Sequence, residues 1–459
     1  MLSPFTGKVS LPIALKGIIK VNKVATSNTR TKNRFSDHAS NGSNNTSNNK
    51  SNSKSKDKSS KGSIWEYIAL ATIPLVLVLG NSMLVPILPD LQEKMGISRF
   101  QSSLVITLFS IAAGVIIPVS GYLSDRFTRK SVIIPSLIVY GAAGVLAGFG
   151  AVWHSYPILI IARAIQGLGA AGTAPIAMAL VGDLYKGGDA SKALGLIEAS
   201  NGAGKVVSPI LGSLLAIIVW FAPFFAFPIF CVLALLAVIF MIKEPPNEKK
   251  AEPLGTYLKQ IRDILQEKGR WLIPAFFAGS ITLFILFGVL FYLSQILEEK
   301  PYSIEGVRKG LVLAVPLLCM VITSYTTGAK IKQNGTLMRW LMNIGLILMT
   351  VSLTLAIFLN TNLYVFIGLL SLSGIGTGLL LPCLNTMITG SVERDQRGMI
   401  TSLYNSLRFI GVAFGPPLFG WLMNMSHKTL FITVASMALL MLALVFFCIK
   451  PNEELKGKA

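Results

Sequence analysis

Twelve apolar runs constrain this chain most, because each is long enough to cross about 30 Å of hydrocarbon as a helix. Inside a bilayer every backbone polar group needs a partner within the chain, and runs of this length satisfy that need as helices rather than as barrel strands. A hydrophobic content of 52% with only 14% charged residues agrees with this interpretation. The sequence therefore predicts an all-α membrane protein with twelve transmembrane helices. The approximate cores of the runs are 65–88, 101–123, 131–152, 157–182, 193–216, 218–242, 271–296, 310–329, 337–359, 362–390, 399–424 and 428–449.

The basic residues indicate how the chain is oriented. A net charge of +20 would suggest nucleic acid as the partner of a soluble protein. Here 20 Lys and Arg lie in the loops and tail on the side of the C terminus, against six in the loops on the opposite side. Because positive loops stay in the cytoplasm, we predict a multi-pass cell-membrane protein with both termini cytoplasmic and no nucleic-acid partner.

Composition divides the chain into five parts. Residues 1–63 are rich in Asn, Ser and Lys and predict a disordered basic tail, with a transit peptide or an early start codon as alternatives. A six-helix half follows over 64–242, then a cytoplasmic linker over 243–270, a second six-helix half over 271–449 and a short cytoplasmic tail over 450–459. Apolar residues recur at helical spacing in the linker, which predicts an amphipathic helix at the membrane surface.

An internal repeat relates the two halves. At an offset of 207 residues, six Gly or Pro positions coincide, which is hard to attribute to chance with 41 Gly and 22 Pro in the chain. Two pseudo-symmetric halves of this kind are typical of transporters that bind substrate midway between them. The pairs are Gly121 with Gly328, Gly167 with Gly374, Gly169 with Gly376, Pro175 with Pro382, Gly204 with Gly411, and Pro209 with Pro416.

Four charged residues lie clearly within the runs, namely Arg163, Glu198, Lys205 and Arg408. A charge at the bilayer centre costs roughly 2.5–3.5 kcal/mol on insertion scales, so each should face a partner or a wet cavity. Glu198 and Lys205 are seven residues apart and share one face of the fifth span, too far apart to pair directly. Asp90 lies at the end of the first span.

These positions suggest two groups of functional residues. Glu198 is the candidate proton site, with Asp90 as the fallback, although Glu198 is also near enough to a helix end to be a solvated surface residue. Arg163 could extend to the headgroups, but the adjacent Gln166 and a glycine pair favour burial against another helix. The predicted substrate cavity contains Lys205, Asn201, Gln166 and Arg408.

Enzyme chemistry finds little support in the sequence. The four cysteines are far apart, fall in apolar runs and lack metal-ligand spacing, so we expect neither a disulfide nor a metal site. The segment NGAGKVVS is similar to a phosphate loop, but Ala199 occupies the position of a required glycine. A membrane enzyme or a receptor on the same scaffold is the alternative class. We predict no enzyme activity and no cofactor.

Four motifs together resemble the major facilitator superfamily, and within it the twelve-span drug:proton antiporter group. The resemblance covers residues 65–449. The motifs are GYLSDRFTRK from Gly121 to Lys130, with Thr128 in a glycine position; L-x-x-x-R-x-x-Q-G-x-G-A-A from Leu159 to Ala171; the fifth-span signature G-x8-G-x3-G-P-x-x-G-G as Gly195, Gly204, Ser208, Pro209, Gly212 and Ser213; and L-G-x5-P-x-x-P from Leu79 to Pro89.

The resemblance implies two halves that rock between inward- and outward-facing states and a protein that exports its substrate. We expect a monomer. It implies a cytoplasmic gate containing Asp125 and Arg129, together with Gly121 and Arg126, and a role for Arg163 in proton coupling. Gly195, Gly204, Pro209 and Gly212 would form the bend in the fifth helix.

The predicted function is proton-coupled export of small amphipathic compounds, such as drugs or metabolites, by alternating access. The partners are then the small-molecule substrate, protons and membrane lipid. Three embedded cations against one carboxylate would leave the cavity positive, so a dedicated exporter of an anionic metabolite such as a siderophore is the alternative.

Overall fold

The computed structural model describes residues 64–185, 187–244, 253–331, 334–359, 362–391 and 394–451. The predictions for the basic tail and for the residues after 451 lie outside these ranges. In chain order the helices are α1 (Ile64–Ser82), α2 (Leu88–Met95), α3 (Arg99–Arg126), α4 (Arg129–Val152), α5 (Tyr156–Ala171), α6 (Ala174–Leu184), α7 (Gly187–Ile218), α8 (Ala222–Met241), α9 (Leu254–Glu298), α10 (Gly306–Ile331), α11 (Gly335–Ala356), α12 (Leu363–Gly390), α13 (Arg394–Met425) and α14 (His427–Cys448), with a 3-10 turn (Val85–Ile87) between α1 and α2.

Twelve membrane-spanning segments arise from these helices in the described part of the chain, which confirms the predicted all-α architecture. Two segments contain a break. The first span, Ile64–Met95, comprises α1, the 3-10 turn and α2, and extends beyond the predicted core. The fourth span, Tyr156–Leu184, comprises α5 and α6. A proline lies in the first turn of the helix that follows each break, because a residue without an N–H is best tolerated there.

The linker and the seventh span share one helix. The described linker residues from Leu254 onward form the first turns of α9, which continues through the membrane to Glu298. Ile264 is buried, whereas Leu254 and Leu258 are more than half exposed. The ring of Tyr257 packs 5.3 Å from that of Tyr122 at the end of α3. The amphipathic segment is therefore continuous with a transmembrane helix.

Close helix packing repeats between the two halves. A Cβ on Gly167 in α5 would overlap the carbonyl oxygen of Phe109 in α3, and one on Gly374 in α12 would lie 2.5 Å from that of Pro316 in α10. Phe109 and Pro316 are themselves separated by the repeat offset of 207 residues. Equivalent glycines therefore let equivalent helices approach, as expected for two six-helix pseudo-symmetric halves.

The two faces of the molecule differ in how the halves meet. We call the face where α1 begins and where α8 connects to α9 the linker side, and the opposite face the distal side. At the distal side one cluster of buried apolar residues draws on both halves. Toward the linker side, the buried members of a second cluster all come from the N-terminal half and those of a third all come from the C-terminal half. Among the described residues, the cluster whose buried members come from both halves is therefore the distal one.

Helices α7 and α10 show the same asymmetry. Near the distal end a Cβ on Gly310 would lie 2.6 Å from the carbonyl oxygen of Pro209, so the two backbones are in close contact. Toward the linker side a Cβ on Gly195 or on Gly328 would meet no atom within 4 Å. Helices α3 and α13 stay together further along their length, because the Gly121 position contacts Ser402. The close contact between α7 and α10 is therefore lost toward the linker side, and we call the space between the halves there the cleft.

Candidate transport site

Lys205 is the centre of the candidate site. It lies on α7, halfway along the fifth span, and its side chain is half-buried. Its ammonium group is within electrostatic range of both Arg408 and Glu198. Arg408 belongs to α13 in the other half, so two cations from opposite halves lie within electrostatic range of each other. A site between the halves is where transporters with parallel repeats bind their substrates.

Arg408 is only partly satisfied by its neighbours. One terminal nitrogen donates to Oδ1 of Asn405 at 3.2 Å, and the guanidinium carbon lies 5.4 Å from the centre of the Tyr404 ring. Its Nε is buried and has no hydrogen-bond partner among the residues that the structure describes. A guanidinium with a free, desolvated donor favours a carboxylate, phosphate or phenolate partner.

Glu198 and Asn201 lie closer to the linker side than Lys205 on the same helix. Glu198 is exposed, and Asn201 is half-buried. Glu198 lies seven residues before Lys205 on the same face of α7 and is within electrostatic range of it. The structure thus brings together three of the four charges that sequence alone identified within the spans.

Arg163 occupies a different environment, entirely within the N-terminal half. Its side chain is fully buried. Its Nε donates to the carbonyl oxygen of Val105 at 2.8 Å, and a terminal nitrogen donates to Oδ1 of Asn81 at 3.3 Å. The guanidinium carbon lies 4.5 Å from the centre of the Phe109 ring. Arg163 therefore ties the first, second and fourth spans together and does not extend to the headgroups.

Gln166 lies with Arg163 rather than with Lys205. Its Oε1 accepts a hydrogen bond from Arg163, and its side chain is fully buried. Its Nε2 lies close to the Gly144 position on α4 and has no partner in the described residues. The structure does not bring Gln166 to the Lys205 site, because it points into the packed interior of its own half.

The predicted gate on the linker side forms a cluster of ion pairs. Arg129 is largely buried and pairs with Asp125 at 2.7 Å and with Asp183, at the end of α6, at 2.9 Å. The carboxylate of Glu244 accepts the backbone N–H groups of Arg129 and Lys130 at 2.6 and 2.8 Å, which stabilises the first turn of α4. These contacts join helices of the N-terminal half.

The two remaining residues of the predicted gate, Arg126 and Gly121, take no part in these ion pairs as described. Arg126 is exposed, and the Gly121 position contacts Ser402 of the other half. Sequence reasoning missed Asp183 and Glu244. The signal that could have identified Asp183 is a carboxylate at the linker-side end of the span that follows the Arg129 turn.

The predicted bend motif lies where α7 packs on its neighbours. A Cβ on Gly204 would contact Leu75 of α1, and one on Gly212 would overlap the carbonyl oxygen of Met83. Helix α7 is uninterrupted through Pro209, and Gly195 has open space around its Cβ position. Gly204 and Gly212 therefore serve close packing, and the carbonyl oxygen of Pro209 lies against the Gly310 position of α10.

Comparison with known proteins identifies the scaffold. A family model described as Major Facilitator Superfamily matches residues 70–338 and 309–459. The chain belongs to this superfamily. The predicted family is thereby confirmed, and so is the prediction of a transporter of the efflux type rather than an enzyme.

Several known members of the superfamily are similar to this chain. A bacillibactin exporter from Bacillus subtilis (strain 168) is 44% identical over 396 residues, which cover 85% of this chain and 98% of the relative. Multidrug resistance protein 2 from the same organism is 23% identical over 76% of this chain and 87% of its own. A solved bacterial homologue of the human lysosomal transporter Spinster, inward-facing and unoccupied, has a TM-score of 0.69 at 15% identity, covering 86% of this chain and 98% of its own.

Proposed function

We propose that this transporter exports a small anionic metabolite in exchange for protons, and that a siderophore is its first candidate cargo. The observation that carries the proposal is the pair of cations from opposite halves, Lys205 and Arg408, which lie within electrostatic range of each other, with the buried Nε of Arg408 unpartnered among the described residues. An anion between them would hold the halves together through charge-assisted hydrogen bonds.

Similarity to known exporters supports the choice of cargo. The relative that is 44% identical is named for the export of bacillibactin. Bacillibactin is therefore the compound to test first. Export of lipophilic or amphipathic drugs is the second candidate, because Multidrug resistance protein 2 is also related and because the Tyr404 ring beside Arg408 offers an apolar surface.

Proton coupling is proposed to act through Glu198. When Glu198 is ionised it supports the ammonium form of Lys205 that binds the anionic cargo, and when it takes up a proton that support is lost and the cargo is released, so that proton and cargo alternate as exchange requires. Asp90, at the distal end of the first span, is the second proposed proton site. Arg163 contributes to coupling by holding the first, second and fourth spans together.

The proposed orientation places the linker side and both termini in the cytoplasm of the cell. The concentration of positive loops on that side supports this orientation. The protein would function as a monomer in contact with membrane lipid. The cleft that opens to the linker side would then receive cargo from the cytoplasm.

Transport in proteoliposomes with an imposed pH gradient tests the proposal. The assay compares bacillibactin with a cationic amphiphile such as ethidium, for the parent protein and for Glu198→Gln. We expect gradient-driven transport of bacillibactin by the parent, and a loss of about tenfold or more in Glu198→Gln because that variant cannot exchange a proton.

The matched control is Glu267→Gln, since Glu267 is an exposed carboxylate in the linker part of α9. It should transport at the parental rate. Transport of ethidium but not of bacillibactin would refute the proposal of an anionic cargo and favour the second candidate, an amphipathic drug. Undiminished gradient-driven transport in Glu198→Gln would refute the assignment of the proton site.

A further inference from the structure

A second group of charged side chains lies at the distal end, away from the transport site. The group comprises Arg99, Asp90, Glu298, Glu299 and Lys309, which we call the distal charge cluster. Arg99 forms an ion pair with Glu299, which joins α3 of the N-terminal half to the residue that follows α9 of the C-terminal half. The cluster therefore lies where the two halves close on each other.

Lys309 is the most buried member of the cluster. Its side chain is only 2% exposed, and its ammonium group forms an ion pair with Glu298. Both residues belong to the C-terminal half. A lysine this deeply buried is costly unless its charge is compensated, so its position indicates a specific electrostatic role.

Asp90 faces the same ammonium group from the opposite half. Asp90 and Lys309 line one cavity of about 190 Å³, together with Ser213 and Glu305. Lys309 is the strongest charged neighbour of Asp90. The hydroxyl of Ser213 is buried and has no hydrogen-bond partner among the described residues, so the cavity wall is polar on both sides. One buried cation thus lies between Glu298 of its own half, with which it pairs, and Asp90 of the other half, while Glu305 of its own half also lines the cavity.

We propose that Lys309 is a positioning residue of the transport cycle, whose ammonium group is shared between Glu298 of its own half and Asp90 of the other half. The attraction to Asp90 pulls the halves together at the distal end, while the pair with Glu298 competes with that attraction. The Arg99–Glu299 pair adds a second link between the halves. The balance between these contacts sets how readily the distal end opens.

The shared lysine predicts opposite effects for two isosteric substitutions. Asp90→Asn removes the attraction between the halves and should favour opening. Glu298→Gln removes the competitor within the C-terminal half, leaves Lys309 to Asp90 and should favour closure. A merely structural contribution to stability would move both variants in the same direction.

Ser294 provides a position for measuring the opening. It is fully buried on α9, and its Oγ donates to the carbonyl oxygen of Val85 in the other half at 2.8 Å. The reporter is Ser294→Cys in a background where the native cysteines are replaced by alanine. A membrane-impermeant maleimide is added to intact cells and, separately, to inside-out vesicles, so that an error in the proposed orientation is recognised independently. The native cysteines are Cys231, Cys319, Cys383 and Cys448.

We expect Asp90→Asn to raise the labelling rate of the reporter thiol about threefold or more, and Glu298→Gln to lower it by a similar factor, for a change of one ion contact. Arg99→Glu should also raise the rate, and the charge exchange of Arg99→Glu with Glu299→Arg should restore it. Labelling that changes in the same direction in Asp90→Asn and Glu298→Gln, or that changes in neither, would overturn the proposal.

Discussion

Two arginines in the membrane, Arg163 and Arg408, differ in how many of their hydrogen-bond donors have partners in the protein. Arg163 donates to acceptors on the first, second and fourth spans and lies against the face of Phe109. Arg408 donates to Asn405 alone among the hydrogen bonds described, and its buried Nε has no partner in the described residues. The same type of side chain thus links three helices within one half and, between the halves, leaves a hydrogen-bond donor unpartnered in the described residues.

The difference shows how an embedded charge can be interpreted. The cost of placing a cation in the bilayer indicates that each arginine needs a partner, but not which partner. A complete set of protein acceptors indicates a structural role. An unpaired donor beside a second cation from the opposite half favours an anionic ligand. The predictions below test this distinction.

The largest expected effect is the loss of stability on removal of the Arg163 side chain. Arg163→Ala removes the shared donor from acceptors on three spans, leaves the side-chain oxygens of Asn81 and Gln166 without it and opens a cavity, so we expect a loss of about 3–5 kcal/mol in folding free energy. The measurement is the thermal melting of the purified protein in detergent. Arg408→Ala is the control and should melt near the parental temperature. Equal melting temperatures for the two variants would show that Arg163 is not more important for stability than Arg408.

Arg129 on the linker side represents an intermediate case, because carboxylates of its own half satisfy it. Asp183→Asn removes one of its two ion pairs and should destabilise the protein by about 1 kcal/mol, a modest value because Asp183 is partly solvated. The exposed Arg126 is the matched control, and Arg126→Ala should leave the melting temperature unchanged. A larger effect from Arg126→Ala would show that the ion pairs described here are not what stabilises this turn.

The smallest expected effect concerns the orientation of Arg408. Asn405→Ala removes its neutral hydrogen-bond partner, and we expect the affinity for the anionic cargo to fall about threefold, as for one neutral contact. Isothermal titration measures the affinity. Asn405→Asp, which would compete for the guanidinium, should weaken binding further. An unchanged affinity in both variants would show that Arg408 does not contact the cargo.

Much of the scaffold was predictable from the sequence, because the signals are local or periodic. Apolar length defined the spans, and the repeat of Gly and Pro at one offset indicated the two halves. The glycines of that repeat, such as Gly167 and Gly374, do contact equivalent helices. The breaks in the first and fourth spans were missed, because a single proline can either kink a helix or begin a new one.

The charged sites were predictable only in part. Lys205 and Arg408 were identifiable one at a time, since each is costly within the membrane. Their proximity depends on how α7 and α13 are placed in the fold, which no spacing in the sequence encodes. Asp183 and the distal charge cluster were missed because they lie at span ends, where charges are ordinary. The Arg99–Glu299 pair joins residues 200 positions apart.

The most direct test of the central claim is a double-mutant cycle on cargo binding. Bacillibactin is titrated into the purified parent, Lys205→Ala, Arg408→Ala and the double variant. If the two cations grip one anion, each single substitution should weaken binding about tenfold or more, and the double variant should lose less than the product of the two factors. Binding to the double variant at the parental affinity would contradict the claim that this cation pair is the cargo site.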